Sequence, residues 1–562
     1  MKGNTIQNRL INDTIYNHIP YTKLEDKILQ TKILNRLQFI TQNALAYFSY
    51  PSITTKRFIH SLGTMHLSSY IFKNSLLNAN KETKNHFLKE LKKVLKFIVK
   101  EEKLNINLDD LKYFDNKALY DFTIPTKNKK DRAVYIIILQ AVRIVGLMHD
   151  VGHLPFSHQI EYALKNVYNK LLIKNDTLNK KEEEFILLYE KITKNSSLVL
   201  HEAIGKELLQ LLFDFELIDF INDYEEKELI KLLKTLSLYI LENKIYKGFD
   251  FSILHRIIDS TVDADRLDYI NRDMLASGYI TGANDHIRIT KQAVLVEKDK
   301  FFYLSFFDMS LIDIEHMLEM RFNLYKKVIY NHGIAKTDAL LENVVQFLSS
   351  KYFEKEEVED KIFNHISMLW KFQKETNPSK KLDIISLLDE NWLISLFKNE
   401  YFYLKNKKSL THTEEKFKYC FEEVLFGKRF FNSSWKNLNE FYKILDFSTI
   451  ERYQFRESFG YISSKKLIKL QKLLDTFVNK WEKEENTFLT YQTVSFNIGI
   501  EKDFLLYDCE NLVSIDEIST LRKRLKQSMR NTVPFYLYVN KKNITDSMKK
   551  ELKELILDVF KN

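Results

Sequence analysis

Apolar residues recur along most of this chain at the three- and four-residue spacing of helices that bury one face. After a short N-terminal arm, Ile28, Leu34, Leu37, Ile40 and Leu45 keep that spacing, which predicts helix over Lys23–Tyr47 with Pro51 ending it. A second helix opens at Arg57 and runs through Leu67 and Ile71. Residues 80–130 are rich in Lys and Glu and broken at Pro125, and predict helix and loop inserted at the surface. Tyr135–Met148 is apolar on nearly every side, which predicts a helix buried all round. Helical spacing returns through Ile160, Tyr162 and Leu164, then a charged run, Lys180–Glu184, reads as a solvated loop or helix end. Further helices are predicted from His201, over 225–250, and from Ile312 to Phe347. Between them the period changes at 286–306, where Val294–Glu297 and Phe301–Phe306 flank Lys298-Asp-Lys300 as a β-hairpin would. The expected fold is mainly α, in three parts: a helical core over 1–345 with the small hairpin, a helical and aromatic region over 346–490 read as structural or oligomer-forming, and a small α+β appendage over 491–562.

Composition narrows the class. Gly (12) and Pro (6) are scarce among 562 residues, which favours helices over a many-turn β architecture. Two cysteines, Cys420 and Cys509, supply neither a disulfide framework nor a thiolate metal site. With no apolar leader and no apolar run of about 18 residues, a soluble, cytoplasmic protein without a membrane span is expected. The formal charge of +9 fits either a Lys-rich solvated surface or attraction for phosphates and nucleic acid.

Candidate chemistry follows the buried helix. His149, Asp150, His153 and His158 fall within ten residues, in a chain with 14 histidines. His149 and Asp150 stand at the inner end of the helix, where ionisable groups are costly unless paired or metal-bound. Gly152 and Pro155 turn the chain, so that His153 and His158 can face back. Imidazole and carboxylate without thiolate suit a divalent Mn, Mg, Fe, Ni or Zn ion. A second dense patch places Asp265, Tyr269 and Asp273 at i, i+4 and i+8, one face of a helix. Arg266 and Arg272 flank that face, where they could hold phosphate oxygens; a charged, solvated helix with internal ion pairs would read the same.

Five short elements, Arg57…His60, His149-Asp150, His153…His158, His201-Glu202 and Asp263-Ala-Asp265, occur in this order. Together they resemble the HD-domain superfamily of metal-dependent phosphohydrolases, in particular its deoxynucleoside triphosphate triphosphohydrolase (dGTPase-like) branch. The resemblance covers residues 20–345. It implies that His60, His149, Asp150 and Asp265 ligate the metal, and that Arg57, His153 and Arg266 contact the triphosphate. His158 and His201 would be the acid–base pair at the α-phosphorus, with Glu161 orienting His158. Tyr269 and Asp273 would line the sugar, Asp273 reading the 3′-hydroxyl. Gln42 falls at a sugar- and base-contacting position, followed by Asn43 where the family carries Leu. Arg321 precedes a family run, Tyr-x-His-Lys, that touches phosphates; here it reads Tyr330-Asn-His332-Gly333, one residue out of register and without Lys. The implied reaction is hydrolysis of a dNTP to deoxynucleoside and triphosphate. A phosphodiesterase or nuclease acting on nucleic acid or a cyclic nucleotide, and a non-catalytic nucleotide-binding regulator, use the same residues. The implied partners are a nucleotide substrate and further copies of the chain, with single-stranded nucleic acid left open.

Overall fold

A computed structural model of the chain describes residues 9–561 other than 109–115, 175–176, 195–198, 222, 280–283, 355–363, 460–463, 496 and 542. The N-terminal arm is a hairpin, β1 (Leu10–Asp13) and β2 (Asn17–Pro20), turned by Asp13, whose carboxylate accepts from the backbone of Ile15 and Tyr16. Helices α1 (Lys23–Leu29), α2 (Arg57–Asn78), α3 (Lys81–Glu101) and α4 (Lys129–Met148) follow. The helix expected over 23–47 is instead α1, a short turn at Lys32–Asn35 and two single 3₁₀ turns. Thr31 and Asn35 explain the break: their side chains bond the carbonyls of Ile28, Leu29 and Thr31, offering the backbone an alternative to the helical ladder.

The expected surface insertion is likewise corrected. Helix α3 buries Phe87, Leu88, Leu91, Val94, Leu95 and Ile98 against the main core and packs on α4. Its Lys and Glu residues form only the outer face of an amphipathic helix. Helix α4 is buried at every residue from Ala133 to Met148. Its one charged interior residue, Arg143, is satisfied by both oxygens of Glu25 (2.6 and 2.7 Å), by Ser69 and by the Pro20 carbonyl, which ties α1 and the arm to the core.

Next come α5 (His158–Leu172), α6 (Lys180–Thr193), α7 (Leu200–Leu211), α8 (Tyr224–Leu241) and α9 (Ala264–Ser277). The charged run at 180 is the first turn of α6, where Asn179 and Glu182 form a capping box. The predicted hairpin forms as β3 (Ala293–Lys298) and β4 (Phe301–Phe306), with Asp299 and Lys300 both at positive φ in the turn. Helices α10 (Leu311–Leu324) and α11 (His332–Glu354) close the core. Helix α2 lies at its centre, against α4 on one side and α9 on the other, while α11 packs along α5.

The C-terminal part adds α12 (Glu390–Asn406), α13 (His412–Phe426) and α14 (Ser464–Glu484). Short strands follow as β5 (Asn432–Ser433), β6 (Leu489–Thr493), β7 (Leu505–Tyr507), β8 (Leu512–Ser514) and β9 (Phe535–Val539), with helices α15 (Leu521–Met529) and α16 (Asp546–Lys561). Buried throughout, β9 pairs antiparallel with β6 on one edge and β5 on the other. This sheet takes strands from both sides of residue 490, and the division drawn there from sequence falls inside β6. Of the strand-like run at 493–498 only Thr493 belongs to β6; Val494 N adds one further backbone bond to the Pro534 carbonyl (2.9 Å), and Phe496 lies outside the described residues. Among the described residues no helix is long and apolar enough to cross a membrane.

Candidate metal centre and active site

The first turn of α2, the end of α4 and the start of α9 converge. His60 Nε2 lies 2.8 Å from Asp265 Oδ1 and 3.6 Å from Asp150 Oδ2, and His149 Nε2 lies 3.4 Å from Asp265 Oδ1 and 3.5 Å from Asp150 Oδ1. Donor atoms on neighbouring positions around a divalent ion with bonds near 2.1 Å stand roughly 3.0–3.4 Å apart; His60, His149 and Asp150 bring ligand atoms within 4.8 Å of one another, and Asp265 stands beside the two histidines. Tautomers support the fit. His149 Nδ1–H donates to the Gly146 carbonyl (2.8 Å), leaving a lone pair on Nε2, which is buried with no hydrogen-bond partner. His60 Nδ1 bonds Asp268 at 2.7 Å, which turns Nε2 toward the same point. Burial pulls the His60 pKa down, but Asp265 and Asp268 overcome it and hold it at about 10. The pocket therefore attracts positive charge, the kind a divalent cation supplies. Asp150 is held well below the carboxylate range, because Arg57, His149 and His153 outweigh its burial.

Asp268 is an unforeseen part of this centre. Its fully buried carboxylate accepts from His60, twice from Arg272 (2.9 and 2.7 Å) and from the Tyr16 hydroxyl (2.8 Å); Arg272 also bonds Asp13. This corrects the reading of Arg272 as a phosphate ligand: its guanidinium is occupied inside the fold. The position of Asp268 three residues after Asp265 was visible in the sequence, whereas no local pattern pointed to Tyr16 or Asp13.

Beside the centre, Glu161 accepts from His153 Nδ1 (3.0 Å) and His201 Nδ1 (2.9 Å). The His153 and His201 rings stack with centroids 4.0 Å apart, and His158 meets them edge-on at 4.7 and 5.2 Å. His158 Nδ1 is 3.9 Å from Glu161 and makes no hydrogen bond to it, so Glu161 orients His201 and His153, not His158 as the resemblance implied. His153 bridges Glu161 to Asp150, whose Oδ1 is 3.2 Å from its Nε2, and this occupies the atom expected at the triphosphate.

Two backbone features set this geometry. A Cβ on Gly152 would lie 1.9 Å from the His201 carbonyl and 2.3 Å from the Gly205 nitrogen, so only glycine lets α7 bring His201 this close. Phe156 and Ser157 both take left-handed backbone (φ 56° and 54°), strain of order 1–3 kcal/mol each. The strain is held by Ser157 Oγ, which donates to the Thr41 carbonyl and accepts from Arg57 Nε, both at 2.7 Å. Burial lowers His201, but Glu161 overcomes it and the net pKa is raised. The pKa of His158 is lowered, by burial in the cleft walls and then by His153, although 49% of its side chain faces the cleft. The trio thus pairs a His201 whose protonated form is favoured with a His158 whose neutral form is favoured.

Tyr269 and Asp273 continue the α9 face beyond Asp265. Burial raises Asp273 to about 6, against an opposing contact from Asn43. Asn43 faces Asp273, but Asp273 Oδ1, Asn43 Nδ2 and the neighbouring Gln42 Oε1 are buried atoms that make no well-formed hydrogen bond. Arg321 Nε donates to the Tyr269 hydroxyl (2.9 Å). Of three residues expected at the nucleotide, Arg321 Nη1, Arg266 Nη1 and the Tyr330 hydroxyl donate to backbone carbonyls of the segment after β6, while Arg266 also reaches the Thr261 carbonyl (3.3 Å) and Asp263 (3.4 Å).

In fold the chain is similar to a phosphohydrolase of known structure, and in sequence to a putative HD domain-containing protein. No family model matches the chain. It is 23% identical over 351 residues to a putative HD domain-containing protein of Acanthamoeba polyphaga mimivirus, covering 60% of this chain and 56% of that protein. It is 24% identical over 348 residues to human deoxynucleoside triphosphate triphosphohydrolase SAMHD1, covering 59% and 44%. An uncharacterized protein of Methanocaldococcus jannaschii matches at 23% over 337 residues, covering 60% and 49%. The chain spans about half the length of the curated relatives it matches. A phosphohydrolase from Bacteroides thetaiotaomicron shares the fold with a TM-score of 0.53 at 17% identity, over 95% of this chain and all (100%) of that one. A hypothetical protein from Aquifex aeolicus does so at 0.52 and 16% identity, over 97% and 100%.

Proposed function

We propose that the chain hydrolyses deoxynucleoside triphosphates to deoxynucleoside and inorganic triphosphate. The observation that carries the nucleotide reading is the corner where Asn43 faces Asp273, on the α9 face that also carries Asp265: the buried Asp273 Oδ1, Asn43 Nδ2 and adjacent Gln42 Oε1 make no well-formed hydrogen bond and offer a donor and two acceptors. A sugar hydroxyl, which both donates and accepts, satisfies such a corner. His60, His149, Asp150 and Asp265 would hold a divalent cation, which when bound supplies charge neutralisation at a phosphate oxygen.

This chain's own groups then place the protons. His158, neutral and facing the cleft, takes a proton from water as the water oxygen bonds to the α-phosphorus. His201, whose protonated form Glu161 favours, gives its proton to the departing 5′-oxygen as the bond from phosphorus to that oxygen breaks. The new oxygen stays on the triphosphate, and proton exchange with solvent resets the two histidines.

A second reading, phosphodiester cleavage in nucleic acid or a cyclic nucleotide, draws on one feature. His153, His158, Glu161 and His201 bring ligand atoms within 4.8 Å of one another and could hold a second ion, as two-metal hydrolases do. Incubating the metal-loaded protein with each dNTP, and separately with single-stranded DNA, decides between them. Deoxynucleoside and triphosphate are the expected products; shortened DNA with intact dNTPs would overturn the proposal.

A further inference from the structure

After β6 the described residues 494–495 and 497–504 form no helix or strand. Along them, Ser495 and Asn497–Gly499 present backbone carbonyls to side chains of the site. Ser495 O accepts from the Tyr330 hydroxyl, Asn497 O and Ile498 O from Arg321 Nη1 (2.9 and 3.1 Å), and Gly499 O from Arg266 Nη1. Ile500 O and Glu501 O accept from Arg522 of α15, both at 2.8 Å. Glu501 N donates to Thr261 Oγ1 (2.9 Å), just ahead of α9. Gly499 stands at φ +73°, and a Cβ there would lie 2.6 Å from Arg321 Nη1, so glycine is what allows the backbone to reach the guanidinium.

A row of carbonyl oxygens on guanidinium donors reproduces the acceptor pattern of a phosphate chain without its charge. A phosphate oxygen adds a full negative charge opposite the guanidinium and can be held bidentately, which a neutral carbonyl cannot match, so the two compete unequally for Arg266 and Arg321. We propose that Ser495 and Asn497–Glu501 form an internal occupant of the phosphate cradle that sets its specificity: a ligand binds by replacing these carbonyls, which a phosphate chain spanning both arginines does and a single phosphate does not. The inference rests on the reading of Arg266 and Arg321 as phosphate ligands. Arg522, outside the site, fixes the far end of the segment and so tunes the competition.

The test uses the full-length, metal-loaded protein with inorganic triphosphate and inorganic phosphate as probes. Saturating triphosphate should speed amide exchange at Gly499 and Glu501, whose N–H groups are bonded in the free protein, and phosphate at equal concentration should not. Arg522→Ala should tighten both ligands, phosphate the more, narrowing the triphosphate preference by about fivefold or better. Gly499→Ala, which drives the segment off Arg321, should act in the same direction. Affinities unchanged in the variants, with exchange at 499 and 501 unaltered by triphosphate in the wild type, would overturn the proposal while leaving dNTP hydrolysis untouched. Release of the segment by triphosphate in a protein that turns over no dNTP would support the competition and refute the reaction instead. The exchange arm needs no variant to fold.

Discussion

Asp268→Asn separates the role of the buried network behind His60 from that of the metal ligands themselves. The carboxylate is fully buried and accepts four hydrogen bonds, from His60, Tyr16 and two nitrogens of Arg272. Burial raises its pKa, but Arg272 and His60 prevail and hold it at about 2. The amide keeps the shape and loses the charge. Removing the charged partner of a metal-ligating histidine costs 10- to 100-fold in metal affinity, about 1.4–2.7 kcal/mol. Stability should fall by about 3 kcal/mol, the low end for breaking a buried ion pair, because Asp13 still holds Arg272 at 2.9 Å. The depressed pKa means that the wild-type stabilisation is complete above the unfolded value of 3.8 and is lost as pH falls toward about 2, a dependence that the variant should lack. Calorimetric titration of the metal-stripped proteins with Mn²⁺, beside denaturant unfolding at pH 7, measures both effects. A variant that is less stable yet binds metal with wild-type affinity would refute the coupling from Asp268 through His60 to the ion.

Gly152→Ala should push α7 away, since its Cβ would meet the His201 carbonyl. Turnover should fall by about 10²-fold with metal affinity nearly kept, and an equal loss of both would make Gly152 a residue of the fold alone. Glu161→Gln removes the group that raises His201, so the alkaline limb of the pH–kcat profile should move to lower pH; a limb that stays put removes His201 as the acid. For Asp273, a folded pKa of about 6 against 3.8 means that its ionised form costs stability above pH 3.8, by roughly 3 kcal/mol at pH 8. Asp273→Asn should therefore be more stable to urea at pH 8 and bind dNTP more weakly, whereas unchanged dNTP affinity would remove Asp273 from sugar recognition.

Much of the fold was legible because its signals are local. The apolar run at 135–148 read as a buried helix, and the change of period over 286–306 as a hairpin, which forms from Ala293 onward while His286–Lys291 is helical. The break between Lys23 and Tyr47 was hidden because Thr31 and Asn35 compete for backbone carbonyls without disturbing the apolar spacing. Helix α3 was misplaced because Lys and Glu dominate its composition while six apolar residues on one face decide where it packs. At the site, motif spacing named residues that the fold does bring together, His60, His149, Asp150 and Asp265. It could not reveal partners supplied by distant segments: Asp13 and Tyr16 from the arm, or the carbonyls of Asn497–Gly499 from beyond β6. Nor could spacing show which histidines Glu161 contacts, since that follows from the approach of α7 allowed by Gly152.

The central claim is that a dNTP is held with its α-phosphorus between the His–Asp centre and the His158–His201 pair. Hydrolysis of a dNTP in ¹⁸O-labelled water, with mass analysis of both products, tests it most directly. The expected products are unlabelled deoxynucleoside and triphosphate carrying one ¹⁸O. Label in the nucleoside 5′-hydroxyl, or products of deoxynucleoside monophosphate and pyrophosphate, would contradict it.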